Sequence, residues 1–150
     1  MIKGLTFVSR VVRDLDTSLT FYRDLLGLQV VMAPTEVTGP EMDAMTGIEG
    51  VNFRIVMLNG RQGATLELMQ FLSPPGKESP GIDASEIGHT FIALEVSDIE
   101  QVVAELQRKG ASFQTPIQEY QNGKFAYLWG PDLELIELME YAWPPSVPQE

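Results

Sequence analysis

The sequence predicts an α+β fold made of two βαβββ modules around a central cavity. Three observations carry that prediction. Phe7-Val-Ser-Arg-Val-Val-Arg-Asp-Leu-Asp16 and Phe91-Ile-Ala-Leu-Glu-Val-Ser-Asp-Ile-Glu100 align as two short β-rich runs, with Asp14 and Asp98 lying 84 residues apart. Each run is followed by one apolar helical stripe. Near the end of each half, Leu66-Glu67-Leu68 is answered by Ile136-Glu137-Leu138.

The elements follow in order. Leu15, Leu19, Tyr22 and Leu26 recur at helical spacing in the first half, as do Ile99, Val102, Val103 and Leu106 in the second, so each helix turns one face to a core. Asp14 and Asp98 can accept from exposed amides at the helix starts, and Ser97 with Glu100 has capping-box spacing. Gly27 and Gly110 stand where a left-handed residue would close each helix. Three strand-like segments come next in each half: 29–33, 52–58 and 65–71, then 112–117, 125–129 and 134–139. The predicted organisation is one domain over 1–150. Its first module is 1–73 with an inserted segment at 34–50, which carries a short helix near Glu41 to Thr46. A linker rich in proline and glycine spans 74–87, the second module 88–141, and a proline-bearing tail 142–150.

Composition narrows the chemistry. The chain has 150 residues, of which 44% are hydrophobic and 21% charged, as in globular proteins with a well-filled core. No cysteine is present, which excludes disulfides, thiolate metal sites and cysteine nucleophiles. His89 is the single histidine, so no site can use two imidazoles of this chain, and no G-x-S-x-G elbow supports a serine triad. A formal net charge of −11 with no basic stripe argues against a nucleic-acid partner. No apolar run has membrane-spanning length, and Lys3, Arg10 and Arg13 interrupt any leader-like core near the N-terminus. The expectation is a cytoplasmic protein with no membrane partner.

A glutamate inside an apolar strand is unfavourable unless it is paired or faces a polar space, so its appearance in both halves points to function. If a pseudo-twofold axis brings Glu67 and Glu137 together without a cation, mutual repulsion and desolvation would raise at least one carboxyl pKa above about 4.3. A general acid or base is then one reading of the pair. Inherited side chains bonded to neighbours, or a seat for a cationic ligand group, is the other. Alternation around these glutamates places Phe7, Ser9, Thr65, Met69, Phe91, Ala93, Leu135 and Met139 on the same faces, a mostly apolar lining suited to a small molecule. Tyr120, Lys124 and Tyr127 could orient a ligand at a rim, while Arg10 and Arg54 read as surface residues.

Val12-Arg-Asp14-Leu-Asp16-Thr-Ser18-Leu-Thr-Phe21-Tyr22-Arg-Asp24-Leu-Leu-Gly27-Leu28 resembles the V-x-D-L-D-x-S-L-x-F-Y-x-D-x-L-G-L pattern of the vicinal oxygen chelate superfamily. That superfamily includes glyoxalase I, methylmalonyl-CoA epimerase, extradiol dioxygenases and bleomycin-resistance proteins. Gly130-Pro131-Asp132-Leu-Glu-Leu-Ile136-Glu137-Leu138 is similar to its D-P-D-G-x-x-I-E-L strand, and the stretch Leu66 to Gly76 resembles its glyoxalase-like members. The resemblance implies two βαβββ modules whose curved sheets form an open barrel-like cavity, a homodimer and a small-molecule ligand. It also implies a metal ligand on the first and last strands of each module, with a histidine usual seven residues before the helix-start aspartate. Those positions are Phe7 and Phe91 here, and only Glu67 and Glu137 remain. The expected reading is therefore a protein or enzyme of glyoxalase or bleomycin-resistance type that binds a hydrophobic or aromatic ligand without a metal. The alternative is a lyase, isomerase or dioxygenase using Zn, Mn, Mg, Fe or Ni on Glu67, Glu137 and His89. On a strand, His89 would share the face of Phe91; otherwise it is a partly exposed residue at a strand entrance.

Overall fold

The computed structural model describes residues 1–78 and 83–140. The chain divides into two compact units, 1–80 and 81–150, each with one four-stranded mixed sheet. The first runs β1 (Phe7–Val11), α1 (Leu15–Leu19), β2 (Gln29–Thr38), α2 (Pro40–Thr46), β3 (Asn52–Asn59) and β4 (Thr65–Ser73). Its strand order is β1-β4-β3-β2, with β1 parallel to β4 and the other pairs antiparallel. The second runs β5 (Ile92–Glu95), α3 (Ile99–Arg108), β6 (Gln118–Tyr120), β7 (Gly123–Trp129) and β8 (Leu135–Glu140), ordered β5-β8-β7-β6 with the same directions. The α+β class and the βαβββ repeat of the sequence reading are both present. The tail at 142–150 lies outside the described residues, as does part of the 74–87 linker.

Both helices begin where the aspartates predict. Asp14 accepts from the Thr17 amide at 2.7 Å and Asp98 from the Gln101 amide at 3.0 Å. The Thr17 hydrogen bonds hold the Asp14 carboxyl below its usual range. Ser97 is not the cap. Asp98 occupies that position, and Glu100 instead accepts from Lys124 at 2.6 Å. The first helix is not one continuous α-helix either. After Leu19 it widens into a π-helical stretch over Thr20–Leu25, with Leu26 N–H bonding to the Phe21 carbonyl, before Gly27 closes it at φ +79°.

Leu15, Leu19 and Tyr22 are buried, as are Val56, Leu58, Leu66 and Leu68 on the side of the first sheet that faces the helix. Ile99, Val103 and Leu106 likewise form a core with Ala126, Leu128, Ile136 and Leu138 in the second. Each fully buried leucine or isoleucine contributes about 1.5–3 kcal/mol. A second tie recurs in both units. Gln70 Oε1 on β4 accepts from the Leu15 amide at 3.0 Å, and Glu140 Oε2 on β8 accepts from the Ile99 amide at 2.8 Å. The first residue of each helix is thus bonded to the last strand of its own sheet.

Two strand assignments differ from the sequence reading. β2 runs on to Thr38, through Pro34, because it is an edge strand whose register slips between Met32 and Thr35, so the missing amide is tolerated. In the second unit the outer strand is β6 at 118–120, not 112–117. Gln121 and Asn122 both have positive φ (47° and 68°) and join the Tyr120–Gly123 pair as a two-residue turn, which fixes β7's partner directly before it. Residues 112–114 still bond to β7, with Trp129 N–H donating to the Ser112 carbonyl and Gln114 N–H to that of Tyr127, until Pro116 interrupts the run.

Candidate functional site

Strand alternation gives each sheet one face toward its helix and one face away from it. The parallel register pairs Phe7 with Thr65, Ser9 with Glu67 and Val11 with Met69, so these residues share the face of the first sheet turned away from its helix. Met57 of β3 lies opposite Glu67 on the other side. Glu67 is only 6% exposed, and its Oε1 accepts from the Ser9 hydroxyl.

The second sheet repeats the plan with a different donor. Ala93 pairs with Glu137 across β5–β8, and Tyr127 pairs with it across β7–β8. Ala93 is the counterpart of Ser9 and has no hydroxyl. Tyr127 is the counterpart of Met57, and its hydroxyl donates to Glu137 Oε1 at 2.8 Å. Burial, then the hydrogen bond to Glu137, pushes the Tyr127 phenol up to about 12. The proton therefore stays on tyrosine. Phe91 meets the Tyr127 ring edge-on, with centroids 5.8 Å apart and planes at 74°. Such pairs hold both rings in place.

Each glutamate thus has one hydroxyl partner from within its own unit, supplied from opposite neighbouring strands. Among the described residues the second oxygen of each, Glu67 Oε2 and Glu137 Oε2, accepts no hydrogen bond. Phe7 and Phe91 are both 42% exposed beside these glutamates. Leu135 belongs to the Glu137 face by alternation but is buried, and Met139 of the same face is half-buried.

Three sequence expectations change. His89 precedes β5 and sits in a turn, its N–H bonded to the Glu86 carbonyl, so strand alternation does not relate it to Phe91. Lys124 projects to the helix side, where its hydrogen bond to Glu100 raises the lysine pKa and lowers that of the glutamate. Arg54 is half-buried on the helix side, 3.4 Å from Asp16, and is not a free surface cation. One buried acid escaped the sequence reading. Glu134 is 3% exposed, accepts from the Asp132 amide at 2.8 Å, and fills the space a Cβ on Gly130 would need. The only sequence signal was the glycine of Gly130-Pro-Asp-Leu-Glu134, read there as part of a motif.

Neither unit by itself offers the donors that a divalent transition metal needs. The usual histidine positions are phenylalanine, each glutamate has one oxygen taken by a hydroxyl, and no group of three or more His, Cys, Asp or Glu among the described residues is arranged to hold an ion.

Among curated proteins none matches the sequence. Solved structures do. A glyoxalase family protein from Bacillus cereus is 26% identical, covering 93% of this chain and 95% of its own, with a TM-score of 0.84. The trypanothione-dependent glyoxalase I of Leishmania major is 22% identical over 93% of this chain and 87% of its own, with a TM-score of 0.65. TnmS3, an antibiotic-binding protein from Streptomyces sp. CB03234, is 19% identical over 94% and 98%, with a TM-score of 0.63. At those last two identities the likeness is one of fold. The model of the Glyoxalase/Bleomycin resistance protein/Dioxygenase superfamily matches residues 4–138, and the chain belongs to that superfamily.

Proposed function

We propose that this chain binds a small, planar aromatic molecule without a metal, on the sheet face that carries Phe91 and Glu137 in the second unit and on the corresponding face with Phe7 and Glu67 in the first. The observation that carries the reading is the state of the two glutamates. Each has a hydroxyl of its own unit on one oxygen and an exposed phenylalanine nearby where a histidine ligand would be needed. A phenyl ring offers no lone pair, and replacing an imidazole by an apolar ring also dries the surroundings of the remaining oxygens. The same ring offers apolar area to a flat ligand, with burial worth about 25 cal/mol per Å² before the costs of association. If the protein is an enzyme, the free glutamate oxygens are its candidates for taking or giving a proton. Glu67→Gln and Glu137→Gln would then remove turnover while leaving much of the binding.

Elemental analysis of protein purified without chelator, followed by calorimetric titration with Mn(II) and Zn(II), tests the metal-free reading. The expected result is less than one-tenth equivalent of metal and no binding below millimolar concentration. Near-stoichiometric metal lost in Glu67→Gln or Glu137→Gln would replace this reading by the metal-dependent one.

A further inference from the structure

The chemical character of the ligand can be narrowed from the second unit alone, and the inference rests on the aromatic-binding reading above. Glu137 Oε1 is occupied by the Tyr127 hydroxyl at 2.8 Å, while Oε2 has no donor among the described residues. Tyr127 uses its proton on Glu137 and is itself braced edge-on against Phe91. Phe91 remains 42% exposed next to this pair. The face therefore presents a ring surface and, beside it, a carboxylate oxygen that can only accept.

We propose that the ligand is an aromatic molecule bearing a hydrogen-bond donor, an ammonium, amine or phenolic hydroxyl, which packs on Phe91 and donates to Glu137 Oε2. An anionic substituent would meet the carboxylate as a like charge in a chain of net charge −11 and is rejected. A ring with only an acceptor in that place leaves the oxygen without a partner on desolvation, the most unfavourable outcome for a polar group. The first unit supports the same rule, since Glu67 also keeps one oxygen without a donor beside Phe7.

Four naphthalenes of similar size separate the possibilities by calorimetry or tryptophan fluorescence at neutral pH: 2-(aminomethyl)naphthalene, 2-naphthol, 2-methoxynaphthalene and 2-naphthoate. The amine and the naphthol are expected to bind about tenfold more tightly than the methoxy compound, a difference of about 1.4 kcal/mol, with naphthoate weakest. Glu137→Gln should bring the amine and methoxy affinities within about threefold of each other, and Phe91→Ala should weaken all neutral probes together. Equal binding of donor and methoxy probes by the unaltered protein would overturn this inference and leave the aromatic reading standing. A donor preference that persists in Glu137→Gln would overturn it as well. Failure of every probe to bind would sink the aromatic reading itself. Should Glu137→Gln fail to fold, the ratio measured on the unaltered protein decides the matter.

Discussion

Tyr127→Phe is a sharp test of the hydroxyl–carboxylate arrangement, because it removes one oxygen and no ring. The Tyr127 phenol is displaced from 10.0 to about 12, chiefly by burial and then by its bond to Glu137. A group whose pKa is higher in the folded chain stabilises the fold fully below its unfolded value. That contribution is lost as the pH rises through the folded value. The window is therefore between pH 10 and about 12, and stability falls with rising pH inside it. The full displacement corresponds to about 2.7 kcal/mol. Tyr127 is partly solvent-exposed, which reduces the share expressed as stability to about 1–2 kcal/mol. Urea unfolding of the unaltered protein and of Tyr127→Phe, at steps from pH 8 to 12, reads this directly. Lysine and arginine effects are common to both proteins, so the difference between the two curves isolates the phenol. The unaltered protein should lose about 1–2 kcal/mol more than the variant across the window. Parallel curves would refute the raised phenol, and with it both the burial and the hydrogen bond assigned to Tyr127.

Other perturbations follow from the same geometry. Gln70→Ala and Glu140→Ala each leave a helix-start amide without its acceptor and should cost about 1 kcal/mol in urea unfolding. Gln70→Glu, which copies the second unit, should change stability by no more than about 0.5 kcal/mol. Leu133, 69% exposed at φ +62°, holds a conformation that favours glycine. Leu133→Gly should therefore stabilise by about 0.5–1 kcal/mol, the backbone relief being partly offset by glycine's greater freedom when unfolded, and calorimetry should register a Tm higher by about 1–4 °C.

The parts of this fold legible in the sequence were those fixed locally. Asp14 and Asp98 announce the helix starts because a short acceptor three residues before an amide acts within one turn. The Glu67 and Glu137 strands stand out because a charge interrupts an apolar run. What escaped depends on neighbours distant in sequence. Pro34 reads as a strand breaker until β2 is known to lie at a sheet edge. Asn122-Gly123 is a turn signal, but the turn lies at Gln121-Asn122, one residue earlier, and this shifts the outer strand to 118–120. The donors to the glutamates were only half visible. Ser9 could be placed on the Glu67 face by alternation and Tyr127 only at a rim, yet which one bonds to which glutamate follows from the register across three strands, and no local pattern encodes register.

The long bulged strand β2 has a consequence for how this module could be enlarged safely. Its ten residues make it much longer than its counterpart β6, with three, and it forms an outer border of its sheet. A long border of unpaired amides and carbonyls invites a strand from another molecule to add on, which is how aggregation begins. The two register slips flanking Met32, the second spanning Pro34, break the regular spacing of that row, so an incoming strand would find no continuous ladder. The features that made β2 hard to foresee also make it a poor template for aggregation.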